Sequence, residues 1–192
     1  MKTAFQGAAI LLLAASLGAC ATKSGSKGPE LGVVEVGRFH LGQPVARGPI
    51  AIEAFDKADA NRPEFPAYRA AVERQLVRLG WTVVPSTGQS EQIALIDLEQ
   101  GSREAVAALS AARIGRGVSG SAPEGTSANV TASLLEVAIR RRSDGTVFWE
   151  GRAVGEAPSG SAGAARTAAV ERLAEALFRD FPGESGRTIR VR

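Results

Sequence analysis

Apolar and polar side chains alternate along several short stretches of this chain, the pattern expected of half-buried β-strands. In the first such stretch we expect Val34, Val36 and Phe39 on one side, and in the next the alternating apolar positions are Ile50, Ile52 and Ala54. The alternation, together with short apolar runs bounded by turn residues, predicts strands at residues 32–41, 50–55, 81–85, 92–99, 129–142, 146–154 and 187–192.

One hairpin stands out, because Ser143-Asp144-Gly145 separates two runs rich in branched and aromatic residues. Asp-Gly between such runs is a strong signal for a tight turn joining antiparallel strands. On the return strand Trp149 follows the apolar alternation. We expect its indole to pack beneath a helix, because a large buried ring helps to define one face of a sheet.

A period of three to four residues replaces the alternation in two other stretches and predicts amphipathic helices at residues 64–79 and 164–181. Residues 103–113 are rich enough in alanine to form a further helix, and the Gly-Ser-rich residues 115–126 predict a loop. The order of elements predicts an α+β fold in which a mostly antiparallel sheet carries two amphipathic helices packed on one face.

The N-terminus begins with Lys2 and an apolar run over residues 8–17, which is too short to span a bilayer. The run ends in Leu17-Gly18-Ala19-Cys20, which holds the single cysteine of the chain. This stretch resembles the lipobox of bacterial lipoproteins. The resemblance implies that signal peptidase recognises Leu17, Gly18 and Ala19, cleaves before Cys20, and leaves that cysteine carrying fatty chains such as palmitate.

The same resemblance divides the chain into a signal peptide at 1–19, a lipidated flexible tether at 20–31 and a single periplasmic domain at 32–192. Ala21 follows the cysteine where aspartate would resemble an inner-membrane retention signal. We therefore expect a lipid-anchored protein of the outer membrane that faces the periplasm. The alternatives are an ordinary secretory signal with an incidental cysteine, and a buried free thiol.

Composition narrows the candidate chemistry. The formal net charge is +3, which is too small to predict nucleic-acid binding. With one cysteine, which the lipobox uses, the chain has no disulfide or cysteine metal site. Apolar residues make up 44% of the chain, enough for one hydrophobic core to provide the stability.

Four stretches of the chain resemble a family of bacterial envelope lipoproteins, the domain-of-unknown-function 4136 family. They are YRAAVERQLVRLGW at 68–81, IALIDL at 93–98, the glycine-rich insertion from Gly115, and RRRSDGTVFWEGRA at 140–153. The resemblance implies an envelope location and a fold, and it implies no activity.

The candidate catalytic residues each have a plainer explanation. His40 is the single histidine and has no nucleophile motif beside it, which favours a surface or capping role over a triad or a metal site.

Gly115, Gly117 and Gly120 spell GxGxxG, but no helix pattern begins there, so a loop is favoured over a dinucleotide site. We expect no cofactor.

The remaining candidate site residues are carboxylates, for catalysis, and arginines, for binding an anion. Glu53 with Asp56, or Asp97 with Glu99, would have to face each other across a cleft to act as a catalytic pair, and otherwise face solvent. Arg140, Arg142 and Arg152 flank the predicted hairpin. They are either a solvated rim or a contact for an anionic envelope polymer or an acidic envelope protein.

These features favour a membrane-anchored, non-catalytic binding or scaffolding module of the cell envelope. One alternative is an accessory subunit of an envelope secretion or polymer-export assembly. A weaker alternative is a carboxylate-dependent cell-wall enzyme, which would need a pocket of convergent acids. A scaffold would instead present an exposed apolar patch or a sheet edge.

Overall fold

A computed structural model describes residues 32–86, 90–113 and 129–192 of the chain, with side chains described up to Ser110 in the second range. The strands are β1 (Val34–His40), β2 (Pro49–Ala54), β3 (Thr82–Val84), β4 (Gln92–Gly101), β5 (Val130–Arg141), β6 (Val147–Pro158) and β7 (Thr188–Val191). The helices are α1 (Phe65–Arg78), α2 (Arg103–Arg113) and α3 (Arg166–Phe178), with short 3₁₀ turns at Asp59–Asn61 and Ala162–Ala164.

The strands form one seven-stranded sheet in the order β3-β2-β4-β5-β6-β1-β7. Four neighbouring pairs are antiparallel, namely β1 with β6, β1 with β7, β4 with β5 and β5 with β6. The pairs of β2 with β3 and of β2 with β4 are parallel. The α+β class is therefore confirmed, but the expectation of a mostly antiparallel sheet is wrong, since the sheet is mixed.

The parallel pairs follow from where the helix α1 lies in the chain. It connects β2 to β3 and carries the chain back along the sheet, so that β3 runs in the same direction as β2. The strand β4 then pairs on the other side of β2, again parallel. Side chains alternate between the two faces of the sheet in the same way in parallel and in antiparallel strands. The sequence pattern therefore did not distinguish the two kinds of pairing.

The main hydrophobic core lies on one side of this sheet, which we call the helical face. Here side chains of α1 and α3 join apolar side chains of the strands in one cluster. Its largest fully buried members include Trp149, Phe178, Leu76, Leu173 and Leu177. Trp149 stacks on Phe178 of α3 with ring centroids 5.3 Å apart, which confirms that its indole packs beneath a helix.

Close packing on the helical face requires a glycine in β6. A Cβ added to Gly151 would lie 2.8 Å from Leu177 Cδ1 and still closer to the ring of Trp149. The missing side chain therefore leaves the space that the indole occupies. The indole Nε1 donates a hydrogen bond to the Pro182 carbonyl oxygen at 2.9 Å, so its one polar atom is satisfied.

The helix α2 differs from the other two, because its buried apolar residue Val106 clusters with Ala132 and Leu134 of β5. These two β5 residues alternate with Leu135 and Val137, which belong to the main core. The further helix suggested at 103–113 by its alanine content is therefore present as α2, and it contacts the opposite side of the sheet from α1 and α3. We call that side the back face.

The predicted hairpin is present, with Arg141 N donating to Thr146 O at 2.8 Å across the turn. Gly145 has φ +72°, a left-handed conformation that glycine adopts without strain. The predicted C-terminal strand is β7, at one edge of the sheet.

The predicted signal peptide at 1–19, the predicted tether at 20–31 and the Gly-Ser-rich residues 115–126 lie outside the described residues. Within the described residues, no helix combines the length and apolar character needed to cross a membrane.

Candidate binding face

The back face carries the candidate site, because among the described residues α2 lies over only part of it. One row of directly opposed residues crosses five strands there. Glu53 faces Leu95, which faces Ala138, and Ala138 faces Glu150, which faces Phe39. Exposed apolar side chains lie on or near this row, since Phe39 is 40% exposed and Phe55 44%. This open part of the back face is therefore unlike the helical face, where α1 and α3 pack on the strands.

A buried ion pair attaches α2 to the covered part of the back face. Arg103 Nε donates to Glu156 Oε1 at 2.6 Å, and Arg103 Nη2 donates to Glu156 Oε2 at 2.5 Å. Both residues are buried. The hydrogen bond to Glu156 raises the pKa of Arg103 above its ordinary value. This two-point contact fixes the orientation of the helix as well as its position.

Arg152, one of the arginines expected to contact an anion, lies in the same covered region and is 3% exposed. Its Nε donates to Glu136 Oε1 at 2.8 Å. Its Nη1 donates to the carbonyl and hydroxyl oxygens of Ser110 on α2, each at 3.1 Å. The guanidinium therefore links β5, β6 and α2, and it faces protein rather than solvent.

Arg142 lies at the start of the hairpin turn and has a different set of partners. Its Nη2 forms an ion pair with Glu53 Oε1 at 2.6 Å, and its Nε donates to Ser90 O at 3.0 Å. The pair is about 30% exposed on the arginine side. Arg142 therefore connects the hairpin to β2 and to the segment before β4.

Arg140 lines a groove on the open part of the back face. The groove has a volume of about 280 Å³, and its lining is Phe55, Leu95, Glu136, Val137, Ala138, Arg140, Val147 and Glu150. The Nε atom of Arg140 is buried, and within the described part of the chain it has no hydrogen-bond partner. The structure thus separates the three predicted arginines, and it leaves Arg140 with an unsatisfied donor beside an apolar surface.

The predicted carboxylate pairs have individual partners. Glu53 binds Arg142, and Asp56 Oδ1 accepts a hydrogen bond from the backbone N–H of Ala58 at 2.9 Å. Asp97 and Glu99 lie on the back face of β4, opposite Glu136 and Leu134, and both have interactions. Among the described residues, no group of three His, Cys, Asp or Glu side chains is arranged to hold a metal ion.

His40 makes contacts typical of a capping residue. The backbone N–H of Gly42 donates to Nδ1 at 3.1 Å, so Nε2 carries the proton and donates to Gly183 O at 3.0 Å. The hydroxyl of Ser185 contacts the backbone of His40, accepting from its N–H at 3.0 Å. The ring therefore fastens the end of β1 to the loop before β7.

Sequence reasoning missed Arg38, which is 3% exposed on the helical face. Its Nε donates to Leu177 O at 2.9 Å and its Nη2 donates to Ala176 O at 3.1 Å, where α3 ends. Burial lowers the pKa of Arg38, and the nearby Asp180 opposes that shift. A signal was present, because Arg38 continues the alternation of Val34 and Val36 and so occupies a core position.

The residues that resemble a lipobox (Leu17, Gly18, Ala19 and Cys20) and the GxGxxG glycines lie outside the described residues. A second groove, of about 320 Å³, lies between residues 41–46 and the start of the hairpin turn. Two of its polar side chains have partners, since Arg141 pairs with Asp144 and Gln92 bonds Trp81 and Ala46. The groove beside Arg140 is therefore the stronger candidate.

Comparison with known proteins supports the fold more than a function. No family model matches the chain, so its resemblance to the domain-of-unknown-function 4136 family stays a prediction. A relative, the uncharacterized protein ZMO1243 of Zymomonas mobilis, is 26% identical over 212 aligned positions, covering 83% of this chain and 80% of that protein.

Among solved structures, a PDZ domain protein from Parabacteroides distasonis is similar with a TM-score of 0.51 and 11% identity. The match covers 82% of this chain and 38% of that protein, so the similar fold is one part of a longer protein there. A PelC dodecamer from Paraburkholderia phytofirmans is similar with a TM-score of 0.42 and 12% identity, over 74% of this chain and 97% of that one. At 11% identity the similarity to the PDZ domain protein concerns the fold alone.

Proposed function

We propose that the protein is a lipoprotein anchored in the outer membrane through Cys20, and that its periplasmic domain is a non-catalytic binding or scaffolding module of the envelope. The observation that carries the binding role is the open groove on the back face, with Phe55 and Val147 exposed beside it. Exposed apolar surface of this kind is typical of interaction sites. The neighbouring charged groups Glu53, Arg142, Glu136 and Arg152 are engaged in ion pairs, which favours a structural role for them over acid–base catalysis.

The anchor follows from the sequence Leu17-Gly18-Ala19-Cys20 at the end of the apolar N-terminal run. Several acyl chains on one cysteine give lasting attachment, because each buried methylene contributes about 0.8 kcal/mol and a single chain binds only reversibly. Attachment also raises the local concentration of the domain at the membrane, so that weak contacts with other envelope components become effective. The resemblance to a family of envelope lipoproteins supports the same location.

The test is to replace the lipidated sulfur. We expect Cys20→Ser to abolish incorporation of an alkyne-labelled palmitate and to move the protein out of the outer-membrane fraction. Thr22→Ser, in the same segment, is the matched control and should behave like the parent chain. An unlabelled parent chain, or a Cys20→Ser chain that stays in the membrane fraction, would overturn the anchor and favour an ordinary secretory signal.

A further inference from the structure

We propose that α2 is a reversible cover of the back face, which detaches from the sheet while the strands and the two helices of the helical face stay folded. This movement goes beyond the proposed function and does not depend on the anchor at Cys20. Three features of the helix lead to it, namely how few apolar side chains it buries, the polar nature of its contacts and the surface that lies beneath it.

The helix α2 buries little apolar surface. Among its described side chains Arg103, Val106 and Ser110 are buried, at a spacing that places them on one face of the helix. Only one of these three is apolar, and Leu109, on the same helix, is 37% exposed. Every buried residue of α3, in contrast, is apolar. Because apolar burial provides most of the attraction that holds a helix on a sheet, α2 is the more weakly held of the two.

The polar contacts of α2 fix its position more than they resist its detachment. Arg103 makes the two-point ion pair with Glu156, and Ser110 accepts two hydrogen bonds from Arg152. When a buried ion pair separates into water, both partners regain the hydration that they lost on burial, which offsets much of the lost attraction. On the sheet, Arg152 keeps its ion pair with Glu136 after the helix has left. Opening therefore strands no buried charge.

A detached α2 would not stay helical by itself. It has 11 residues, and isolated helices of that length are marginal in water. Its N-terminus is capped from within the chain, since Ser102 Oγ accepts from the backbone N–H of Ala105 at 3.2 Å. Proteins open locally in cooperative units whose free energies lie below that of global unfolding. The helix α2 has the boundaries and the weak attachment of such a unit.

Detachment of α2 uncovers an apolar patch on β5. Ala132 and Leu134 are 1% and 0% exposed where they cluster with Val106. The patch continues the open part of the back face, because Leu134, Glu136 and Ala138 alternate onto one side of β5. Opening therefore enlarges the exposed area of the back face and leaves the main core intact.

The experiment compares two neighbouring leucines of β5 that are equally buried on opposite faces. Leu134 clusters with α2 and Leu135 lies in the main core, and each is 0% exposed. Leu134→Cys and Leu135→Cys are made separately in the full-length chain, and N-ethylmaleimide is added under native conditions. Mass spectrometry of the digested protein measures the label on the β5 peptide, so that Cys20 does not contribute. A thermal melt checks that both variants fold with similar stability.

We expect Leu134→Cys to be labelled about 100-fold faster than Leu135→Cys, or more, because only the second position needs global unfolding to react. Low concentrations of urea should leave the rate at position 134 nearly unchanged and raise the rate at position 135 steeply. The reason is that the dependence on urea follows the surface that an opening exposes.

A second pair of variants tests the contact that closes α2. Adding Glu156→Leu to Leu134→Cys should raise the rate at position 134 by about tenfold or more, because the guanidinium of Arg103 is then better hydrated in the open form. Arg187→Ala, which removes an exposed ion pair with Glu184, is the matched control and should leave that rate unchanged.

Equal rates at the two positions, or the same steep urea dependence at both, would overturn the proposal, since α2 would then leave the sheet only when the whole domain unfolds. A rate at position 134 that ignores Glu156→Leu would overturn it as well. If a cysteine variant fails to fold, hydrogen exchange of the parent chain decides. The α2 amides should exchange about 100-fold faster than those of β5, and equal protection would contradict the proposal.

The same labelling in a Cys20→Ser background separates this result from the anchor. A chain that leaves the membrane fraction but keeps the difference between positions 134 and 135 supports both proposals. A chain that keeps its membrane attachment through Cys20 but shows no such difference overturns the movement of α2 and leaves the anchor intact.

Discussion

The two faces of the sheet are held by different physical forces. On the helical face, α1 and α3 pack on the strands through one large apolar cluster that includes the stacked rings of Trp149 and Phe178. On the back face, α2 is attached through the ion pair of Arg103 with Glu156, the hydrogen bonds from Arg152 to Ser110, and a small cluster around Val106. Part of the back face remains open beside Arg140.

The difference indicates a division of roles. Burying apolar area is the dominant favourable term in folding, so the helical face provides most of the stability. Buried ion pairs contribute little net stability because both partners lose their water, but they fix one orientation of the groups they join. The back face is thus the one where α2 is positioned by specific polar contacts, and where surface is left for another molecule.

The largest effect on stability should come from removing a core side chain on the helical face. Trp149→Ala removes a fully buried indole and its stacking on Phe178. We expect a loss of about 4 kcal/mol in the free energy of unfolding, because both transfer energy and a cavity are involved. Urea unfolding followed by circular dichroism measures it.

The control is Val77→Ala on the solvent side of α1, where Val77 is 54% exposed. This change should alter the free energy of unfolding by no more than about 0.5 kcal/mol. A loss below about 1 kcal/mol for Trp149→Ala would contradict the role assigned to the helical face.

A smaller effect is expected from the ion pair under α2, and its sign depends on how the pair is changed. Glu156→Leu alone removes the carboxylate that neutralises the buried guanidinium of Arg103, which should cost about 3 kcal/mol. Changing both, with Arg103→Met and Glu156→Leu, removes both charges and should return the stability to within about 1 kcal/mol of the parent. Hydrogen exchange at the α2 amides should be fastest in Glu156→Leu and close to that of the parent in the double variant.

The comparison between single and double variants is what tests the back face. If the double variant is as unstable as Glu156→Leu, the pair stabilises the fold by itself, and the proposed difference between the faces is wrong. Arg187→Ala, which removes an exposed pair with Glu184, provides a surface control with little expected effect.

The smallest effect should arise at the hairpin tip, away from both faces. Hydrogen bonds from Thr146, and then Arg141, lower the pKa of Asp144 from 3.8 to about 2. Because the folded pKa lies below the unfolded one, this carboxylate stabilises the turn above pH 3.8 and loses that contribution as the pH falls towards 2. The amide shift of Gly145, followed by NMR, should change over that interval.

Asp144→Asn is the matched variant, since it keeps an oxygen that can accept from Thr146 and removes the charge. We expect the low-pH change at Gly145 to disappear in it. A change centred at or above pH 3.8 in the parent chain would show that the hydrogen bonds at the turn do not hold the carboxylate as described.

The local pattern predicted some features well. Asp144-Gly145 placed the hairpin, and the position of Trp149 in the alternation placed its indole in the core, because both depend on short-range geometry. The expectation that Phe39 shares a side with Val34 and Val36 is wrong, because Arg38 occupies that core position and Phe39 lies opposite Glu150 on the back face. The role of Arg38 was missed because its partners, the carbonyls that end α3, lie far away in sequence. The candidate site was predicted less well, since Arg140, Arg142 and Arg152 look alike in the sequence and have different surroundings in the fold.

The sequence by itself determined where the strands and helices lie, the hairpin, and the alternation that separates the helical face from the back face. These follow from periodicity and turn chemistry, which act between residues close together in the chain. Only the tertiary structure decided the parallel pairing of β2, the attachment of α2 to the back face and the difference between Arg140 and Arg152. Each of those depends on contacts between distant segments, which neither periodicity nor composition encodes.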